Sequence, residues 1–151
     1  MGTPVISIQN AAIQQNKNVV LDNVSLDIDA GAFVYFIGRT GSGKSSLIRT
    51  LYAALTLKSG EISICETALT KLKSRHIHKL RRLLGIVFQD FKLLPDRNVY
   101  QNLDFVLRAT GWKNKAERDT RIAEVLTLVN LEGKEKKFPQ TLSGGEQQRL
   151  S

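Results

Sequence analysis

Residues 38–45 read Gly-Arg-Thr-Gly-Ser-Gly-Lys-Ser, a glycine-rich loop closing on a lysine and a hydroxyl. Glycines let successive backbone N–H groups converge on an anion where a Cβ would obstruct the approach. Lys44 adds a point charge suited to β- and γ-phosphates, and the Ser45 hydroxyl is a hard-oxygen ligand for Mg²⁺. Gly38, Arg39, Thr40, Gly41, Ser42, Gly43, Lys44, Ser45 and Ser46 are therefore the candidate phosphate-binding set. A second cluster, Leu-Ser-Gly-Gly-Glu-Gln-Gln-Arg, occupies residues 142–149. There Ser143 offers a hydroxyl, Gly144 and Gly145 expose backbone N–H groups, and a helix is expected to begin, which suits a further phosphate contact.

The elements that must hold these residues are legible as patterns. Ala32–Ile37 is an apolar, β-rich run that reads as a buried parallel strand leading into the loop. Ser45–Leu55 has helical spacing, with Leu47, Ile48, Leu51, Ala54 and Leu55 on one side. Leu84–Gln89 reads as a short buried strand that ends by presenting Gln89. Two further helices are expected. One spans Asn98–Thr110, with Asn98 as N-cap, Gly111 as stop and Val99, Leu103, Val106 and Leu107 on one face. The other spans Lys115–Asn130, with a stripe of Ile122, Val125, Leu126 and Val129.

Composition bounds the rest. The 151 residues can bury one core, and 42% hydrophobic content is that of a globular chain. No apolar run approaches the length of a membrane span, and no leader pattern is visible. A single cysteine, Cys65, gives no disulfide framework; it fits a reducing cytoplasm and reads as a structural residue after the strand ending at Ile64. The net charge of +8 concentrates in Lys71, Lys73, Arg75, Lys79, Arg81 and Arg82, read as a solvated helix leading into the 84–89 strand. His76 and His78 lie two apart and share no helix face, which argues against a metal pair.

The loop at 38–45, Gln89 after its strand and the 142–149 cluster come in an order that resembles the ATP-binding cassette (ABC) ATPases. Val20–Ile28 resembles the alternating entry strand of these domains, and Ser59–Ile64 the turn and strand after the phosphate-loop helix. The run Phe88–Asn102, with Phe138-Pro139 and Glu146–Gln148, is similar to the cell-division subfamily, with lipoprotein-releasing and macrolide-exporting ATPases as relatives.

The resemblance implies an α/β fold: a P-loop NTPase of ABC type, with antiparallel β entry strands and a helical lobe. The nucleotide-binding core would span residues 5–90, the lobe 91–141 and the signature 142–149. It implies ATP and Mg²⁺ as ligands, with Lys44, Gln89, Ser143 and Gly145 in catalysis and Ser45 and Gln89 on the metal. Partners would be a second copy in a head-to-tail sandwich and an integral membrane permease, with no specific nucleic acid. The location would be peripheral, on the cytoplasmic face of a bacterial inner membrane.

Family domains continue past the signature with the strands that flank the phosphate-loop strand, the Mg²⁺-binding aspartate and the general-base glutamate. The chain is accordingly read as the N-terminal part of such a domain, with its C-terminal part missing and the 32–37 strand left with unpaired edges. Where the family places an aromatic against adenine, the equivalent here is Gln14, and no aromatic precedes Phe33. Phe91, Leu93, Leu94, Val99 and Tyr100 are expected to line a groove that receives a short helix of the membrane subunit.

Overall fold

The computed structural model describes residues 3–151. The chain divides into two compact units, one up to Gly85 and the other Ile86–Ser151.

The first unit is built on an antiparallel sheet ordered β2-β1-β3-β4. The strands are β1 (Ile6–Gln15), β2 (Asn18–Ile28), β3 (Leu57–Ile64) and β4 (Thr67–Ala68). Asn16 and Lys17, at φ 48° and 70°, form the two-residue turn that joins β1 to β2. Two left-handed residues match the right-handed twist of the flanking strands. Inward residues of β1 and β3 make the core, where Ile8, Ile13, Ile62 and Ile64 are essentially inaccessible. Helix α1 (Lys44–Leu51) lays Leu47 on this cluster, and Leu80 of α2 (Ile77–Arg81) completes it.

Gly60 stands within β3, against the irregularity of β1 at Asn10, rather than in a turn before the strand as the sequence suggests. A Cβ there would lie 2.3 Å from the Asn10 carbonyl oxygen, and its φ of +84° suits glycine alone.

Three expectations for this unit are corrected. Ala32–Ile37 is not a buried parallel strand: it pairs with no described segment, and Phe33, Tyr35 and Ile37 are 81%, 75% and 91% exposed. Leu84–Gln89 likewise forms no strand, with Val87 70% exposed. β-propensity describes how well a side chain fits a pleated, half-buried surface, and without a neighbouring strand that surface is not made. The phosphate-loop helix ends at Leu51 rather than Leu55; Ala53 turns left-handed at φ 55°, and Ile48 and Ala54 are exposed.

The basic run 71–82 is not one helix but two single 3₁₀ turns and the short α2. Within it Arg81 is structural. Its guanidinium donates to the Tyr52 and Ala53 carbonyls at 3.0 and 3.2 Å, closing the C-terminus of α1. Cys65 is exposed at the β3–β4 turn with φ 45°.

The second unit packs α3 (Val99–Ala109) against α4 (Lys115–Leu128), with α5 (Gly144–Leu150) closing the cluster through Leu150. Asn98 caps α3 in a reciprocal box with Gln101, as its position suggested. Val99, Ile122, Leu126, Leu131 and Leu142 are its core; Val106, expected on the inner face of α3, is 55% exposed. Arg118, which no pattern in the sequence marks, is buried and donates to Asp104 at 2.6 Å and to the carbonyls of Trp112 and Lys113 at 3.1 and 2.8 Å. Buried Asn102 accepts from the Leu94 N–H and donates to the carbonyls of Leu94, Arg97 and Asn98, pinning the turn before α3.

The expected docking groove is partly consumed by this packing. Val99 is wholly buried, Leu93 and Tyr100 pack on the cluster, and the Tyr100 hydroxyl donates to Asp119 at 2.5 Å.

Candidate phosphate-binding site

The loop before α1 is held open by its own residues. Gly41 and Gly43 take φ of 82° and 90°, which side chains resist. At Gly43 a Cβ would also stand 2.7 Å from Leu21 Cγ, so the turn into α1 is glycine-specific twice over. Lys44 begins the helix and folds back across the loop: its ammonium donates to the carbonyls of Gly38 and Arg39 at 2.7 and 2.8 Å and to Ser42 Oγ at 3.3 Å. The charge is thereby fixed over the loop, beside the uncapped first-turn N–H groups of α1. A concavity of about 180 Å³ is lined here by residues 41–46 together with Gln15 and Val20.

The hydroxyls of Ser45 and Ser46 differ in role. Ser45 is exposed at the pocket and its side chain hydrogen-bonds to no described residue. A free hard oxygen beside a phosphate site fits Mg²⁺, which takes one or two protein oxygens and completes its shell with phosphate and water. Ser46 is buried and donates to Gln15 Oε1 at 3.0 Å, tying the helix to the β1 hairpin. Gln15 therefore lines the loop pocket and, together with Gln14, a cavity beside the hairpin turn. No sequence signal distinguishes the two glutamines.

In the second unit Gln89 is exposed in a turn, ahead of Phe91 and Lys92 at φ 57° and 53° and an Asp90–Lys92 ion pair of 2.6 Å. Ser143 and Gly145 are brought together at the start of α5. Ser143 Oγ accepts from the Glu146 N–H at 3.3 Å, and the Ser143 N–H donates to Glu146 Oε2 at 2.8 Å.

Lys134, unmarked in the sequence, pairs with Glu146 through Oε1. The Lys134 ammonium and then the Ser143 N–H hold the Glu146 carboxyl down at about 2. A carboxyl lowered on folding contributes stability that is complete above its ordinary range, near 4.5, and is lost as pH falls towards 2. Lys134→Met is expected to return the Glu146 titration towards 4.5, read by NMR of its carboxyl carbon. An unmoved titration would place the whole effect on the backbone donor.

A family model described as ABC transporter matches residues 21–151. The chain is 41% identical over 136 residues to the cell division ATP-binding protein FtsE of Streptococcus pneumoniae, covering 90% of this chain and 59% of that protein. It is 40% identical over 130 residues to the methionine import ATP-binding protein MetN 2 of Salmonella paratyphi A, covering 86% of this chain and 38% of that one. Its fold matches the dimeric structure of a post-hydrolysis state of the ATP-binding cassette MJ0796 bound to ADP and Pi. The TM-score is 0.85 at 31% identity, over 96% of this chain and 66% of the other. The chain thus spans 59% or less of the length of these two sequence relatives.

Proposed function

We propose, for a chain that belongs to the ABC transporter family, that it binds ATP and serves an ATP-hydrolysing subunit that works as a head-to-tail dimer. The observation that carries the reading is the Lys44 strap, which presents a fixed positive charge among helix N–H groups at a phosphate-sized pocket. The ammonium and the loop N–H groups would hold the β- and γ-phosphates and stabilise charge that develops in phosphoryl transfer. Ser45 and Gln89 are the side chains that would hold Mg²⁺, whose chemistry there is to neutralise charge on phosphate oxygens. Ser143, through its hydroxyl, and Gly145, through its N–H, would close on the γ-phosphate held by the other copy.

The complex we favour is the FtsE type: a peripheral ATPase on the cytoplasmic face of the bacterial inner membrane, coupled to an FtsX-like permease that regulates cell-wall hydrolysis. The 41% identity to FtsE and the Phe88–Asn102 run support this. The 40% identity to a methionine importer supports the second reading, a transport ATPase. Co-expression of the full-length protein with an FtsX-like subunit and with a larger permease separates the two, since one partner should co-purify and the other should not. No helix among the described residues is long and apolar enough to cross a membrane.

The dimer model is tested by Ser143→Arg in the full-length protein. ATP binding to the monomer should persist, because residues 38–46 are untouched, while ATP-driven dimerisation in light scattering should vanish. A dimer that formed as before would remove the head-to-tail arrangement.

A further inference from the structure

A second concavity of the first unit, of about 450 Å³, lies at the β1–β2 turn, between the C-terminal part of α1 and the start of β3. Its walls carry Lys17 from the turn, Arg49 from α1 and Lys58 from β3, and no carboxylate. None of these three side chains makes a hydrogen bond or ion pair with a described residue. Three like charges brought to one concavity by three different elements make a positive field there, which favours an anion between them. The remaining polar walls are donors of the right kind. Gln15 has its Oε1 engaged by the Ser46 hydroxyl, which leaves its NH₂ to donate; Asn16 and Thr56 add an amide and a hydroxyl. The volume falls in the range of small-molecule sites, roughly 300–1,000 Å³.

We propose that this cavity is a second anion site, distinct from the phosphate loop, which takes a small polyanion bearing phosphate or carboxylate groups. Arg49 provides the planar fork suited to either oxyanion, and the two lysines act as point charges. The proposal does not depend on the nucleotide reading of the loop, although Gln15 lines both pockets.

Amide NMR of the full-length protein, titrated with pyrophosphate and separately with citrate, tests it. Saturable shifts are expected at Gln15, Asn16 and Thr56. They should persist in Lys44→Ala and weaken at least tenfold in the triple variant Lys17→Gln, Arg49→Gln, Lys58→Gln. That variant should retain shifts at residues 41–46, which also reports that it is folded. Affinity for the cavity should fall as salt rises. Pyrophosphate alone binding would assign the site to phosphate-bearing ligands, citrate alone to carboxylates, and either supports it. Shifts confined to residues 41–46, or cavity shifts that disappear with Lys44→Ala, would overturn the second site while leaving the loop reading intact. Cavity shifts without loop shifts would support the second site and refute the loop reading.

Discussion

Lys44→Ala is expected to weaken ATP binding by roughly tenfold to a hundredfold, since a hydrogen bond from a charged donor to phosphate is worth about 1.5–3 kcal/mol. The structure adds a second reason. The same ammonium bonds the Gly38 and Arg39 carbonyls and Ser42 Oγ, so its removal also releases the loop that aims the backbone N–H groups. Lys44→Arg should fail as well. The longer planar fork cannot occupy a pocket fitted to a point charge, and would leave the two carbonyls differently paired. In the full-length protein both variants should lose ATP hydrolysis. Calorimetric titration with ATP and Mg²⁺ measures the loss, and near-normal affinity in Lys44→Ala would mean that the loop does not bind the nucleotide. The helix should survive, because Leu47 and Thr50 remain buried against the sheet.

The largest expected effect on stability lies far from that chemistry. Arg118→Ala should cost the second unit about 3 kcal/mol or more, the usual consequence of removing one partner of a buried ion pair. The Arg118 and Asp104 side chains are 6% and 14% exposed, so the remaining carboxylate would be poorly hydrated. Arg108 would still reach Asp104 at 2.9 Å, but from an exposed position that cannot replace the buried contact. The Trp112 and Lys113 carbonyls, which Arg118 also satisfies, would lose their donor and with it the set of the α3–α4 loop. Lys at this position should recover little, since its shorter side chain ends in a point charge rather than the fork through which Arg118 meets a carboxylate and two carbonyls. Urea unfolding followed by Trp112 fluorescence reads the change; a loss below about 1 kcal/mol would show the pair to behave as an exposed one.

What could be read from the sequence follows from how far apart the interacting residues lie. The Lys44 strap reaches back six residues to Gly38, the Asn98 cap three residues to Gln101, and the Ser143 cap three residues to Glu146. Such contacts are set by local backbone geometry, so residue type and spacing were enough to find the glycine loop and the helix starts that follow it, Asn98 and Ser143. The same holds for the stripe of α4, whose Ile122 and Leu126 are buried as the 3.6-residue period requires.

The contacts that only the tertiary structure decided join residues whose spacing carries no rule. Gln15 meets Ser46 across thirty-one positions, Arg118 meets Asp104 across fourteen and Lys134 meets Glu146 across twelve. Ala32–Ile37 is the counterpart. Its composition is that of a buried strand, yet a strand exists only where a neighbour supplies hydrogen bonds and a surface to cover it. β1 finds β2 on one side and β3 on the other, while Phe33, Tyr35 and Ile37 find no described strand and stand exposed. The sequence by itself therefore determined the glycine loop and the helix starts, which are local. Sheet membership, the glutamine that faces the loop and the buried ion pair were decided by chain segments meeting in space, where the free energy of pairing and burial resides.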